Sequence, residues 1–252
     1  MEAVIEALRH EVRARRRRAV VVVATLALAA VAGSAVVSLE RSPLAACRSS
    51  AHQLDAQWSP AVKARVRAAF ARSGLSYQAE TFRTVESLLD RYVQSFTAAY
   101  TEACDAALRD GKQSFDARDL RLSCLEERGV SFAQLGRSLA SADPAVVTEA
   151  AGGAAKLEPI ARCNDVALLS APEPLPHEPI ARVAIRQQRR RLARAYGLEL
   201  AGKYDDARAL AGEALPAARA LGYAPLEAQA WFRLGALDRD RGRWADAERG
   251  YA

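Results

Sequence analysis

An all-α fold is what the sequence predicts, and three observations predict it. Hydrophobic residues make up 50% of the 252 but aromatics only 6%. The apolar content is therefore chiefly Ala, Leu and Val, and Ala and Leu are strong helix formers. Apolar residues recur at helical spacing in segments opened by Ser-Pro or Asp-Pro and closed by Gly. A six-residue motif near the C-terminus returns after 40 residues, and periods of this size mark stacked helical units. Long β-branched runs occur only in one segment near the N-terminus. The expected architecture is one transmembrane helix followed by a helical bundle or α-solenoid of paired helices.

Residues 1–18 carry six Arg and three Glu, a net +3 out of the chain's +6. Val4, Ile5, Leu8 and Val12 lie at helical spacing, but the segment is too short to fold alone. It is read as a basic cytoplasmic juxtamembrane stub. The other 234 residues carry the remaining +3, an ordinary surface rather than the concentrated patch of a nucleic-acid binder. No nucleic-acid partner is expected. The basic residues are almost all Arg; the lysines are Lys63, Lys112, Lys156 and Lys203. With abundant Ala, that usage suits a GC-rich bacterial genome.

Residues 19–39 contain no charged side chain. At about 1.5 Å per residue they reach roughly 31 Å, the thickness of a hydrocarbon core. Arg13, Arg15, Arg16, Arg17 and Arg18 lie just before them, and Glu40 and Arg41 follow. Positive charge favours the cytoplasmic side, so the N-terminus is expected inside an inner membrane and residue 40 onward in the periplasm. A buried core helix would not carry that Arg run. A cleaved signal peptide fits less well than an uncleaved anchor, given the long head and long apolar run. Leu44-Ala45-Ala46-Cys47 resembles a lipoprotein cleavage motif, but residues 40–43 separate it from the apolar run.

Residues 40–170 read as an extracytoplasmic helical region. Ser59-Pro60 opens a helix to about Arg72, with Ser59 as cap and proline in the first turn. A second runs from about Thr81 to Arg109, with Leu88, Leu89, Tyr92, Phe96 and Tyr100 on one face. A third runs from about Ala117 to Ala140, carrying Leu120, Cys124, Leu125, Phe132, Leu135 and Leu139. Asp143-Pro144 opens a fourth, to about Lys156. These stripes are core patterning. Asp116–Leu120 has the look of a kinase catalytic loop, but Ala117 stands at the His position and Cys124 at the metal-binding Asn. An ordinary amphipathic helix explains it. With four Lys and three His, acid–base or nucleophilic catalysis has little to work with. No enzyme activity and no cofactor are expected.

Cys47, Cys104, Cys124 and Cys163 all follow the membrane segment. An even number in an oxidising compartment reads as two disulfides, with three pairings open. No short metal-ligand spacing occurs and the histidines are not grouped with the cysteines, so no metal is expected.

Residues 171–179 form a Pro-rich linker, and helical pattern resumes through residues 180–252. Gly202-Lys203-Tyr204-Asp205-Asp206-Ala207 matches Gly242-Arg243-Trp244-Ala245-Asp246-Ala247. Trp231, Leu234, Gly235, Gly242, Ala247 and Tyr251 follow the tetratricopeptide pattern of large and small residues, with Asp238 standing where an aromatic is usual. The first unit keeps Ala195, Gly202, Tyr204, Ala207 and Ala214 but has Arg191 and Arg194 where Trp and Leu would sit. A 40-residue period requires longer helices or a longer turn at 221–225. The pattern stops inside the second helix of a unit, so the repeat array is expected to be truncated at its C-terminus.

The order of features resembles the C-terminal half of Hanks-type serine/threonine kinases of myxobacteria and their relatives. The matching residues are the basic tail 1–18 before the span, Cys47 and Trp58 after it, Glu102-Ala103-Cys104, Asp119-Leu120-Arg121 with Cys124-Leu125, Cys163, and the repeat start at Gly202-Lys203-Tyr204. The resemblance covers nearly the whole chain, and the kinase domain is absent from it. It implies Cys47–Cys104 and Cys124–Cys163 as disulfide pairs. It also implies a membrane-anchored sensory region whose repeats bind a protein or peptide in their groove, with a homodimer as one way to pass a signal. The alternative is a stand-alone envelope scaffold in which the repeats hold an assembly together.

Overall fold

The computed structural model describes residues 43–170 and 174–251. The expected stub 1–18, the span 19–39, residues 171–173 of the linker and Ala252 lie outside the described residues. Arg48–Ala252 form one compact unit. It is described below, together with the start of α1.

All regular structure among the described residues is helical. The helices are α1 (Pro43–Ser50), α2 (Pro60–Arg72), α3 (Gln78–Leu108), α4 (Phe115–Ala140), α5 (Pro144–Ala155), a 3-10 turn (Ile160–Asn164), α6 (Val166–Leu169), α7 (Pro179–Glu199), α8 (Tyr204–Leu221), α9 (Ala224–Asp240) and α10 (Trp244–Tyr251). Among the described residues no helix is long and apolar enough to cross a membrane.

Local chemistry sets the starts. Ser59, Ser114 and Asp143 each accept a hydrogen bond from the backbone N–H three residues on, at 3.4, 3.2 and 2.9 Å. Each satisfies one of the donors that a helix start leaves unpaired. Pro60 and Pro144 occupy the first turn, where no N–H is needed. Helix α1 was not expected: the Leu44–Cys47 motif lies within it. Helix α3 begins three residues before the sequence pattern suggested.

Two apolar clusters form. The first gathers Leu54, Trp58, Phe70, Phe82, Leu89, Phe96, Leu125, Phe132 and Leu135 from the segment after α1 and from α2, α3 and α4. Phe132 stacks on Tyr92 at 5.5 Å and meets Trp58 edge-on at 6.4 Å. The Trp58 indole donates to Asp90 at 2.7 Å, and Asp90 pairs with Lys63 at 2.6 Å. A buried indole N–H thereby keeps a partner. Leu120, expected in the stripe, is only half-buried. Cys124 and Cys163 form a disulfide tying α4 to the 3-10 turn. Cys47 and Cys104 are each disulfide-bonded as well.

The second cluster is Ala-rich: Ala195, Ala207, Ala211, Ala214, Ala218 and Ala230 fill it with Ile185, Leu192, Leu226 and Leu237. Small side chains let helix axes approach closely. Helix α7 packs on α8, α8 on α9, and α9 on α10. Only short turns join them, so successive helices run antiparallel. The 40-residue motif repeats in the backbone too. Gly202 and Gly242 take φ +73° and +71°, a conformation cheap only for glycine. The Lys203 N–H donates to the Leu198 carbonyl at 3.0 Å, and Arg243 donates to Asp238 at 2.8 Å. The length of the period resides in the helices, 18 residues in α8 and 17 in α9, because the α8–α9 turn is only Gly222-Tyr223.

Residues beyond the Pro-rich stretch pack directly on those before it. Helix α7 lies on α4. The Tyr196 hydroxyl donates to the Lys156 carbonyl at 2.6 Å, and buried Gly153 of α5 meets the Leu200 backbone. A Cβ at Gly153 would collide with the Leu200 carbonyl oxygen, whereas one at neighbouring Gly152 would meet open space. Gly153→Ala is therefore expected to cost about 2 kcal/mol or more through overpacking. Gly152→Ala is expected to gain up to about 1 kcal/mol from helix propensity. Urea denaturation of the two variants, reading opposite shifts in midpoint, checks the pair.

Candidate functional site

Helices α4 and α7 meet along a seam. On one side of it, Glu127, Arg128 and Ser131 of α4 face Arg189, Leu192, Ala193 and Tyr196 of α7. Ala228, Gln229, Phe232 and Arg233 of α9 close the far wall, and Glu158 lies at the edge, leaving a cleft of about 380 Å³. The helical repeat explains the placement: positions 189, 192, 193 and 196 are three or four residues apart and share one face of α7. The Ser131 hydroxyl donates to the Ala193 carbonyl at 2.9 Å across the seam.

The cleft is strongly charged. Arg128 pairs with Glu158. Arg233 pairs with Glu199 at 3.0 Å, both side chains largely buried, and its guanidinium lies 4.1 Å over the Tyr196 ring. Arg189 has no acidic partner within ion-pair distance among the described residues. Its Nε and that of Arg128 are buried with no hydrogen-bond partner. Burial pushes the Glu127 carboxyl above the usual carboxylate range, against the opposing pull of Arg189 and Arg128. Burial likewise raises the Glu199 carboxyl and the Tyr196 phenol and lowers the Arg128 guanidinium. Phe232 adds an apolar surface that is 57% exposed. Among the described residues no group of three or more His, Cys, Asp or Glu is placed to hold a metal ion.

The residues singled out in the sequence fall as follows. Arg13, Arg15, Arg16, Arg17 and Arg18 lie outside the described residues. Ala207 and Ala247 are buried between helices, as is Leu234. Gly235 lets α10 approach: a Cβ there would lie 3.1 Å from the Ala247 carbonyl oxygen. Trp231 is half-buried, donating to Glu227 at 3.3 Å beneath the Arg219 guanidinium. Tyr251 packs on Phe232 at 5.7 Å, and Tyr204 is half-buried beside the α7–α8 turn. Arg191 pairs with Glu213 at 3.8 Å, and Arg194 is exposed toward α4. Asp238 is buried and takes Arg208 at 2.9 Å and Arg243 at 2.7 Å. An ion-pair knot thus stands where the repeat pattern usually has an aromatic.

The cleft itself was not foreseen. Its residues come from positions 127–131, 158, 189–196 and 228–233, and nothing in local spacing announces their meeting. The one available signal was the Arg-dense stretch 182–194, which no acidic residue interrupts. The chain matches no protein-family model, no curated protein and no solved structure.

Glu127 allows a direct check on the cleft's electrostatics. Its folded pKa is raised from 4.5, so the folded state holds this proton more tightly than the unfolded chain does. Stability from this group is therefore full below the unfolded value and is lost as pH climbs from about 4.5 through the folded pKa. Glu127→Gln removes that loss. Its melting temperature is expected to match the parent's near pH 4 and exceed it near pH 8, and an equal offset at both pH values contradicts the burial.

Proposed function

We propose that this chain is the protein-binding, non-catalytic part of a membrane-anchored sensory protein, with its ligand segment held in the cleft between α4, α7 and α9. The observation that carries the reading is that Arg189, which has no ion-pair partner among the described residues, stands opposite exposed Phe232 across one cleft. An aromatic and a guanidinium held on helices are typical anchors for a partner. The repeated glycine turns at Gly202 and Gly242, and the small residues Ala207, Gly235 and Ala247, support tetratricopeptide-like helix pairs. Solenoids of such pairs present concave binding surfaces.

The charge-free run 19–39 behind the Arg cluster supports single-pass anchoring with the helical region outside the membrane. Together with the cysteines and the repeats, it supports kinship with the extracytoplasmic part of transmembrane serine/threonine kinases. In such a role, partner binding outside would be relayed inside by the span, for instance by altering homodimer contacts. Alkaline phosphatase fused after Tyr251 is expected to be active in cells; an inactive, cytoplasmic fusion would overturn the topology.

The cleft is tested by site-specific photo-crosslinking of the full chain in its native membrane. A photoreactive residue at Phe232 is expected to give a discrete protein adduct, reduced at least fivefold by Arg189→Glu. The same residue at exposed Glu248, outside the cleft, is expected to give none. Equal labelling from both positions, or none from either, would count against the cleft. An adduct whose yield never responds to growth conditions would assign it to constitutive envelope assembly rather than sensing.

A further inference from the structure

The other side of the α4–α7 seam carries a second surface. A groove of about 820 Å³ opens there, bordered by Val130 and Arg137 of α4 and by Val183, Arg186, Arg190 and Arg194 of α7. Arg186, Arg190 and Arg194 stand four residues apart, so they form a ladder with rungs about 6 Å apart along the helix. All three are exposed. Arg190 is paired with Glu126 at 3.2 Å. Among the described residues lining the groove, Glu126 is the single carboxylate against four guanidiniums counting Arg137. Arg137 donates to Gln134 at 2.7 Å. Arg186 and Arg194 have no acidic partner among the described residues. At the ladder's N-terminal end, Val183 is 55% exposed and Ile180 is 85% exposed. An apolar tip therefore continues into a cationic groove.

We infer that this groove is a second docking site, for an acidic segment of a partner protein that places two carboxylates about 12 Å apart and an apolar side chain beyond them. Arg186 and Arg194 are two helical turns apart, and Glu or Asp residues eight apart on a helix match that spacing. Guanidiniums pair with such carboxylates in a forked geometry. The apolar side chain would cover Ile180 and Val183. Charge complementarity commits the partner to acidic chemistry. Concavity selects a polypeptide over an anionic bilayer, because a planar surface cannot enter a groove between two helices. The site does not involve the cleft: Glu127, Arg128, Arg189 and Tyr196 face the opposite side of the seam.

The probe is a fluorescein-labelled helical peptide with two Glu eight positions apart and Leu one turn beyond, titrated by anisotropy against the full chain in neutral detergent. Binding is expected to weaken at least tenfold in Arg186→Glu/Arg194→Glu, to weaken as salt rises from about 20 to 200 mM, and to vanish for a peptide with Lys in place of Glu. Arg186→Gln/Arg194→Gln, with circular dichroism and melting curves matching the parent, gives an intermediate loss and excludes misfolding. Arg189→Glu, which disables the cleft, is expected to leave this titration unchanged, so failure of one site is distinguishable from failure of the other. Equal binding of the Glu and Lys peptides, or no effect of the double substitution, overturns the proposal. So does capture of the chain by phosphatidylserine vesicles without peptide binding, which would make the ladder a lipid-facing surface.

Discussion

Gly197 has no side chain where α7 crosses α4: a Cβ there would lie 2.5 Å from the Ser131 carbonyl oxygen and 2.6 Å from the Gln134 side chain. Ser131 in turn donates to the Ala193 carbonyl across the same seam. This close approach joins the early helices to the later hairpins in one compact unit. It also sets the width and the facing residues of both grooves, which lie on its two sides. Helix α7 thus has an exposed stripe through Arg186, Arg190 and Arg194, a half-buried stripe through Arg189 and Tyr196, and buried contacts with both α4 and α8. That division accounts for Arg191 and Arg194, which break the repeat pattern in the first hairpin. Their side of α7 faces Glu213 and the groove beside α4, so the large apolar residues of the second hairpin would be stranded there.

Arginine carries much of the interior polarity. Buried Arg121 is held by Glu102, by Gln113 at 3.0 Å and by Asn164 at 2.8 Å. Asp238 gathers Arg208 and Arg243, and Glu199 holds Arg233. Each joins separate elements. A guanidinium offers five donors in a planar fork and stays charged when buried. Removing one partner from such a knot strands the other, so these pairs fix one arrangement more than they add stability. The Ala-rich second cluster makes this useful, because small side chains interdigitate little and leave helix register to be set by other means.

Much of the fold could be read from the chain because it is written locally. Ser59-Pro60, Ser114 and Asp143-Pro144 begin helices through contacts three residues long, and Gly202 and Gly242 end them through a backbone angle. The stripe through Leu89 and Phe96 needs only the helical period. Helix α1 was hidden because its sequence, Pro43 to Ser50, is short and has no buried stripe. The cleft was hidden for another reason. Glu127, Glu158, Arg189 and Phe232 are brought together by helix crossings, and each alone looks like an ordinary surface residue. Asp238 read as a defect in a pattern because its two arginines lie 30 residues before it and five after it.

The disulfide between Cys124 and Cys163 has a mechanical consequence. It closes a stretch of 39 residues that contains about two thirds of α4, all of α5 and most of the 3-10 turn. If tension were drawn along the backbone between the N-terminal side and the last hairpin, the load path would run through the sulfur atoms. Roughly 130–140 Å of contour length, at about 3.3–3.6 Å per residue, would be withheld from extension. The part of α4 after Cys124 and all of α5 would then be shielded from the load by the crosslink. A pull arriving at one end would be transmitted as displacement and not dissipated as slack.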